Sequence, residues 1–324
     1  MNEDTLKTYR KQSVSRQAII NRVNIGTPEK VPQVILSVSP CRSGTTIMLR
    51  VFGSVGVESH FQELKNVLRW QLQGDDKCWS LPQKPGGIIY LKETLGPYWE
   101  EEACFNPLNV LLEAGLPPEK LQVLIIGRAP LRTWASWYSW WPTLRTLEKF
   151  ILAYKTTEMI RQQAARQGIP TTILVYETLR DHGAETVIKK LFNRLEVPFS
   201  HFAVQGWREL PPFGSPNSNI VFPKEPPIFC GMSHMHEVPR KSRKLVYFSR
   251  EKNIPGLRKE DVKTILAEGL PEIYEKWRAA CENDLNIEIG KDRDWDHYGP
   301  HGHLKSGHSK SESQTNSDFA HHAN

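Results

Sequence analysis

The feature that constrains this chain most is an apolar run, Val34 to Val38, that breaks at Pro40 and passes through small residues into helically spaced Thr46-Ile-Met-Leu-Arg-Val-Phe52. A strand, a tight loop and a helix N-terminus in this order aim several backbone N–H groups at one point, and the helix dipole favours negative charge there. Arg42 adds a rigid fork of donors, and Ser43, Thr45 and Thr46 add hydroxyls around Gly44. The expected ligand is a phosphate or a sulfate. The plainer reading of such a loop is a helix cap.

The nucleotide-loop pattern G-x-x-x-x-G-K-[ST] is not met. Val38 or Ser39 stands where its first Gly belongs, and no Lys directly precedes a hydroxyl residue. The cation here, Arg42, precedes Ser-Gly-Thr-Thr at the tip of the loop.

A second element points the same way. Leu121-Gln-Val-Leu-Ile-Ile126 reads as a buried parallel strand ending in Gly127-Arg128-Ala129-Pro130, and Pro130 suits the first turn of a helix over 131–141. Arg128 then stands at the carboxyl end of a strand, where open α/β sheets bind ligands. Ser136 follows eight residues later, about two turns along the helix. Read singly, Arg128 is a surface cation and Ser136 a small packed residue.

Together these residues resemble the PAPS-dependent sulfotransferases, whose donor is 3′-phosphoadenosine 5′-phosphosulfate. The family's 5′-phosphosulfate loop has the form P-[KR]-S-G-T-T, and this chain has Pro40-Cys-Arg-Ser-Gly-Thr-Thr46, with one additional residue between Pro40 and Arg42. The family's 3′-phosphate site, an Arg after a strand and a Ser eight residues on, is matched by Arg128 and Ser136. Thr172-Ile-Leu-Val-Tyr-Glu-Thr-Leu-Arg180 is similar to the family's strand ending in Y-E-D-L, with Thr178 where Asp is usual. The resemblance places Tyr176 beside the adenine. It covers roughly residues 33–200, and it implies a P-loop-like, three-layer α/β/α fold with a central parallel sheet. The implied activity is transfer of a sulfuryl group from PAPS to a hydroxyl or amine of a small-molecule acceptor, a specialised metabolite or a sugar among them, with no metal. Two other readings of the same loop are an ATP-dependent P-loop kinase and a noncatalytic nucleotide-binding protein. A kinase needs the Lys beside a metal-binding hydroxyl that this loop lacks.

Sulfuryl transfer requires a donor set for the leaving phosphate, which Arg42 and the loop N–H groups offer, and a base for the acceptor proton. Glu58-Ser-His-Phe61 is similar to the E-x-x-F segment of the carboxylate-using members, which points to Glu58, with His60 as the neighbouring rival. Lys92 matches the family's lysine, expected near the sulfuryl group. The small-molecule enzymes have K-x-H there, whereas this chain has Lys92-Glu93-Thr94, so their histidine is missing and Glu93 is an outside candidate for the base. Trp134, Trp137 and Trp141 fall on one helical face, as a core stripe or as part of an acceptor wall.

Apolar strands near 34–39, 87–92, 121–126 and 171–175 alternate with helix-like segments 45–55, 62–73, 131–141, 144–167 and 183–196. That alternation predicts an α/β fold whose parallel sheet is covered on both faces. Residues 1–30 read as a polar helical arm, 31–290 as one domain closed by a helical region from Lys259 to about Asn283, and 296–324 as a disordered His/Ser-rich tail holding six of eleven histidines. Residues 211–239 carry seven prolines, as a lid or binding loop does. Five scattered cysteines without a C-x-x-C pair, a start lacking a signal-peptide core and the absence of a long apolar run predict a cytoplasmic protein with no membrane span. The net charge of +6 suits an anionic donor, and its dispersal in short clusters argues against nucleic acid as the partner.

Overall fold

The computed structural model describes residues 9–140, 146–212, 214–229, 241–247 and 257–290. In chain order the elements begin with α1 (Arg16–Ile20), β1 (Val23–Asn24), β2 (Gln33–Pro40), α2 (Thr45–Gly53), β3 (Glu58–Phe61) and α3 (Glu63–Leu72). There follow β4 (Trp79–Ser80), β5 (Ile88–Leu95), α4 (Glu100–Ala103), α5 (Pro107–Glu113), β6 (Leu121–Gly127), α6 (Pro130–Trp140) and α7 (Leu147–Arg166). β7 (Thr171–Val175), α8 (Thr178–His182), α9 (Ala184–Arg194), β8 (Ile220–Val221), α10 (Lys259–Ala267) and α11 (Leu270–Leu285) complete the set.

Six strands form one all-parallel sheet in the order β7-β6-β2-β5-β3-β8, with helices on its flanks. The long strands are continuous apolar runs because both of their faces are covered. From β2 the chain steps to one side to build β3 and β5, then jumps back across β2 to build β6 and β7. The carboxyl end of β2 is therefore a topological switch point, where neighbouring crossovers diverge and leave a crevice. Right-handed crossovers put α2 and α7 on opposite faces. On the α2 face Phe52 stacks on Tyr90 with ring centroids 4.1 Å apart, and Phe192 of α9 packs behind it at 5.0 Å.

The tryptophan stripe of α6 is core. Trp134 and Trp137 are buried against Phe150 at 5.3 and 5.4 Å, and Tyr154 of α7 stacks on Trp277 of α11 at 4.7 Å. Trp141 lies outside the described residues. Helix α11 also covers the β7 edge: Asp284 Oδ2 accepts the Ile173 N–H at 2.8 Å and Cys281 Sγ accepts that of Val175 at 3.5 Å. Burial pushes the Cys281 thiol up to about 12. Capping an edge in this way removes a template for unwanted strand pairing.

Three expected segments differ in form. The N-terminal stretch is helical over Arg16–Ile20, capped by Ser15, and β1 then pairs in parallel with β4. Ile19, Ile20, Val23 and Ile25 are buried, so the described part of this stretch packs into the same compact unit as the sheet instead of standing off as a polar arm. The closing helical region is split at Gly269, whose φ of +73° ends α10 and starts α11. The proline-rich segment contributes β8 and then lies along α3, where the Lys224 carbonyl accepts from Asn66 Nδ2 at 3.2 Å, Trp70 Nε1 at 3.0 Å and Lys77 Nζ at 3.2 Å. The remainder of that segment, from 230 to 239, and the tail at 296–324 lie outside the described residues. Among the described residues no helix is long and apolar enough to cross a membrane.

Candidate functional site

The loop after β2 is folded by two left-handed residues, Arg42 at φ +73° and Gly44 at φ +86°, which turn successive N–H groups inward as in an anion nest. Gly44 is the N-cap of α2 and no side chain caps that helix, so its first-turn N–H groups remain free of a side-chain acceptor. Ser43 is fully buried and its hydroxyl has no hydrogen-bond partner among the described residues. Thr45 is buried and Thr46 half-buried on the first turn. Gly is required at 44 for a second reason: a Cβ there would lie 2.6 Å from the Tyr176 ring. The base of the loop is fixed by Cys41, whose N–H donates to Leu95 at 3.1 Å, whose thiol donates to the Gly96 carbonyl at 3.0 Å, and whose carbonyl accepts from Trp137 Nε1 at 2.7 Å.

The residues read from three separate strand ends meet over this loop. Arg42 Nε donates to Ser136 Oγ at 3.0 Å, and the Arg42 guanidinium lies 4.7 Å over the Trp140 ring. Arg128 donates from a terminal nitrogen to the Arg42 carbonyl at 3.0 Å, while its Nε is buried without a partner among the described residues. The same guanidinium sits 5.5 Å over the Tyr176 ring, and Tyr176 faces Tyr247 at 5.1 Å. Glu177, fully buried, organises this corner by accepting from the Ala129 N–H and from Tyr274 Oη, both at 3.1 Å. Thr178, the departure from the Y-E-D-L pattern, donates to the Val175 carbonyl at 2.7 Å and closes the turn locally. Glu177 and Tyr247 were not singled out in the sequence. Glu177 lies within the Tyr-Glu-Thr segment already quoted, whereas nothing local marks Tyr247.

Lys92 is not at a strand end: β5 continues to Leu95, and Lys92 is 2 % exposed beside Ser37 in register. Alternation along the paired strands puts Ser37, Ser39, Tyr90, Lys92 and Thr94 on one face, the face carrying α2. Lys92 Nζ lies 4.1 Å over the Phe61 ring and forms no ion pair among the described residues. Burial, then repulsion from Lys65, pulls it down to about 7. Glu93 points to the other face, where its carboxylate accepts from the Leu64 N–H at 2.9 Å and the Lys65 N–H at 3.2 Å and so caps α3. Burial pushes Glu93 up to about 7 against those two donors.

Glu58 and His60, the expected bases, lie back along the sheet from the loop. Glu58 opens β3 in register with Ile89 and Val34, six residues before Pro40, or about 20 Å along the strand from the loop. His60 is in register with Leu91 and Leu36, about 13 Å back. Both side chains face away from Lys92 and α2, because each is an odd number of residues from Phe61, which is paired with Lys92. They satisfy each other instead: His60 Nε2 is 2.9 Å from Glu58 Oε1 and Nδ1 is 3.2 Å from Glu63 Oε1. Burial works to lower the His60 pKa, but the hydrogen bonds to the two carboxylates outweigh it and raise it above 6.5. The hydrogen bond from His60 holds Glu58 below its usual range. The E-x-x-F segment is thus a strand whose first residue starts far from the crevice, not a loop at its rim.

Among the described residues no group of three or more His, Cys, Asp or Glu side chains is placed to hold a metal ion. Compared with the models of known protein families and with curated proteins, the sequence matches none of them.

Proposed function

We propose that the chain is a PAPS-dependent sulfotransferase that moves a sulfuryl group to a hydroxyl or amine of a small-molecule acceptor. One observation carries this reading: Arg42, Ser136, Arg128 and Tyr176, drawn from three separate strand ends, form one contiguous cradle around a loop whose buried Ser43 hydroxyl and Arg128 Nε lack partners. Such orphaned polar groups normally have a partner, since leaving them bare costs about 1–3 kcal/mol each. An anion with two phosphoryl-type ends and an aromatic base between them supplies what the cradle lacks.

In this reading the loop N–H groups, Arg42, Ser43, Gly44, Thr45 and Thr46 hold the 5′-phosphosulfate, Arg128 and Ser136 hold the 3′-phosphate, and Tyr176 with Tyr247 flanks the adenine. Arg42 and the loop N–H groups stabilise charge developing on the leaving phosphate, a role in which loss of one donor costs about 10²–10³ in rate. Lys92, in register with Ser37 about 10 Å along the strand from Pro40, extends from the α2 face and in this reading reaches toward the transferring group.

Titration calorimetry without added metal tests the proposal. PAP is expected to bind much more tightly than adenosine 5′-phosphate, which lacks the 3′-phosphate, and Arg128→Ala is expected to remove about 1.5–3 kcal/mol of that difference, the worth of a charge-assisted contact. Equal binding of the two nucleotides by the unaltered chain, or a preference for ATP with Mg²⁺, overturns it.

A further inference from the structure

We propose that Lys92 is the general base of this reaction, its amine accepting the proton that the acceptor hydroxyl or amine gives up as the sulfuryl group moves. The inference rests on the sulfotransferase reading and deepens it.

Elimination comes first. Glu58 and His60 lie on the opposite face and are spent on each other and on Glu63. Glu93 faces away as well and is committed to two N–H groups of α3. Thr94, which stands two residues after Lys92, donates its hydroxyl hydrogen to Gln62 Oε1 and accepts from Lys65 Nζ at 3.4 Å. Tyr90, on the same face as Lys92, is pushed far above its ordinary range by burial. Among the described residues these groups are committed elsewhere or held protonated, whereas Lys92 Nζ has no carboxylate partner.

Its surroundings favour the free amine. The charged and titratable groups that act on it are Lys65 and Arg69 from α3, Cys41 from the loop and, from the opposite face of its own strand, Glu93. The two cations have their own partners: Lys65 Nζ donates to the Gly96 carbonyl at 3.0 Å and lies 3.8 Å from Glu102, and Arg69 is bonded to Glu102 and Glu225, both at 2.6 Å. Among the described residues of this cluster, Lys92 is the desolvated cation without a carboxylate. Desolvation and a neighbouring ammonium are the two devices that convert a lysine into a base at neutral pH, and they bring Lys92 to about 7. The Gly96 carbonyl, shared by Lys65 Nζ and Cys41 Sγ, ties this cluster to the first residue of the loop.

The step balances without a further reactant. The acceptor O–H or N–H bond breaks and its proton passes to the lone pair of Nζ. The acceptor atom forms its bond to sulfur while the bond from sulfur to the bridging phosphate oxygen breaks. PAP departs with that electron pair, and the ammonium returns its proton to solvent.

The test uses the full chain with PAPS and water as the acceptor, following PAP release against pH. The wild-type rate is expected to rise with pH through a limb whose midpoint lies at or above about 7, since bound donor adds negative charge beside the amine and shifts its titration upward. Lys92→Arg keeps a cation but removes the base, so turnover is expected to fall by about 10²–10⁴ while PAP affinity is kept. A Lys92→Arg protein with near-normal turnover, or a wild-type rate that falls as pH rises through this range, makes Lys92 a charge stabiliser and overturns the proposal. Trace acetylation of donor-free wild-type protein, read for the Lys92 peptide by mass spectrometry, covers a variant that fails to fold. Half-maximal reactivity near pH 7 is the expected result, and a midpoint near the ordinary lysine value of about 10.4 overturns the assignment. If PAP does not bind the wild type at all, the donor reading itself fails, a result distinct from either outcome for Lys92.

Discussion

Replacing Gly44 with Ala separates two physical costs in the loop. At φ +86° an L-residue sits in the left-handed region, which costs about 1–2 kcal/mol. The new Cβ also falls 2.6 and 2.7 Å from two carbons of the Tyr176 ring, where about 3.5–4.0 Å is the comfortable separation. The ring cannot swing away freely, because Arg128 lies over it at 5.5 Å and Tyr247 beside it at 5.1 Å. Overpacking of this kind adds about 1–3 kcal/mol. The sum, about 2–5 kcal/mol, is a large share of the roughly 5–15 kcal/mol that holds a domain folded. Gly56 is the internal control: its φ is +88°, yet a Cβ there meets nothing within 4 Å. Gly56→Ala therefore carries the backbone cost alone.

Calorimetric melting of the two variants is the assay, with PAP titration as the second readout. At roughly 2–4 °C per kcal/mol for a domain of this size, Gly44→Ala is expected to melt well below Gly56→Ala, and the gap reports the ring contact. PAP affinity is expected to fall for Gly44→Ala and to be unchanged for Gly56→Ala. Equal melting temperatures for the two variants refute the claim that Tyr176 closes over the loop.

Other perturbations follow from the same geometry. Arg69→Ala takes from the fully buried Glu102 the cation at 2.6 Å and leaves it Lys65 at 3.8 Å, and removal of one member of a buried pair typically costs about 3–5 kcal/mol, to be read from urea unfolding. The His60 cluster gives a pH signature. Because its folded pKa is raised above 6.5, its stabilising contribution is full below that value and is lost as pH rises through the higher folded value. The stability gap between wild type and His60→Ala, measured by urea unfolding across this window, is expected to shrink with rising pH, and a gap that grows contradicts the imidazolium assignment. Glu58→Gln is expected to leave PAP affinity intact, since Glu58 lies about 20 Å along the strand from the loop.

What the sequence made legible follows from how parallel strands announce themselves. β2, β5, β6 and β7 are continuous apolar runs because helices cover both faces, and each appears within a few residues of its position. β3 is Glu-Ser-His-Phe, with no apolar run, and β8 is two residues long, so neither has a periodic signal. The missing signal of β3 also hides where Glu58 sits, which as the first residue of a strand is far from the loop. The apolar run of β5 stops at Leu91, which in the sequence marks a strand end near Lys92, yet β2 offers partners as far as Pro40 and the ladder continues. Arg42, Arg128, Ser136 and Tyr176 were readable because each follows a strand at a fixed short offset. Tyr247 and the Glu177–Tyr274 bond join segments some 70 to 100 residues apart, and no local pattern encodes such a contact.

The arrangement explains why a loop with this sequence carries an arginine at its tip where a nucleotide loop carries its lysine before the helix hydroxyl. A lysine in that position reaches over the phosphates as a mobile point charge. Arg42, held in the left-handed conformation, is turned instead toward α6, where Ser136 takes its Nε hydrogen and Trp140 supports its planar face. Only a guanidinium satisfies both contacts and still presents donors to an anion. With the charge at the loop tip fixed, a group able to change protonation must, in the proposed reading, come from elsewhere. The α2 face of β5 supplies it in Lys92, buried below the loop mouth and unpaired among the described residues. In the proposed reading the rigid guanidinium at the loop tip is a fixed anion clamp and the desolvated amine on the α2 face of β5 is the group able to change protonation.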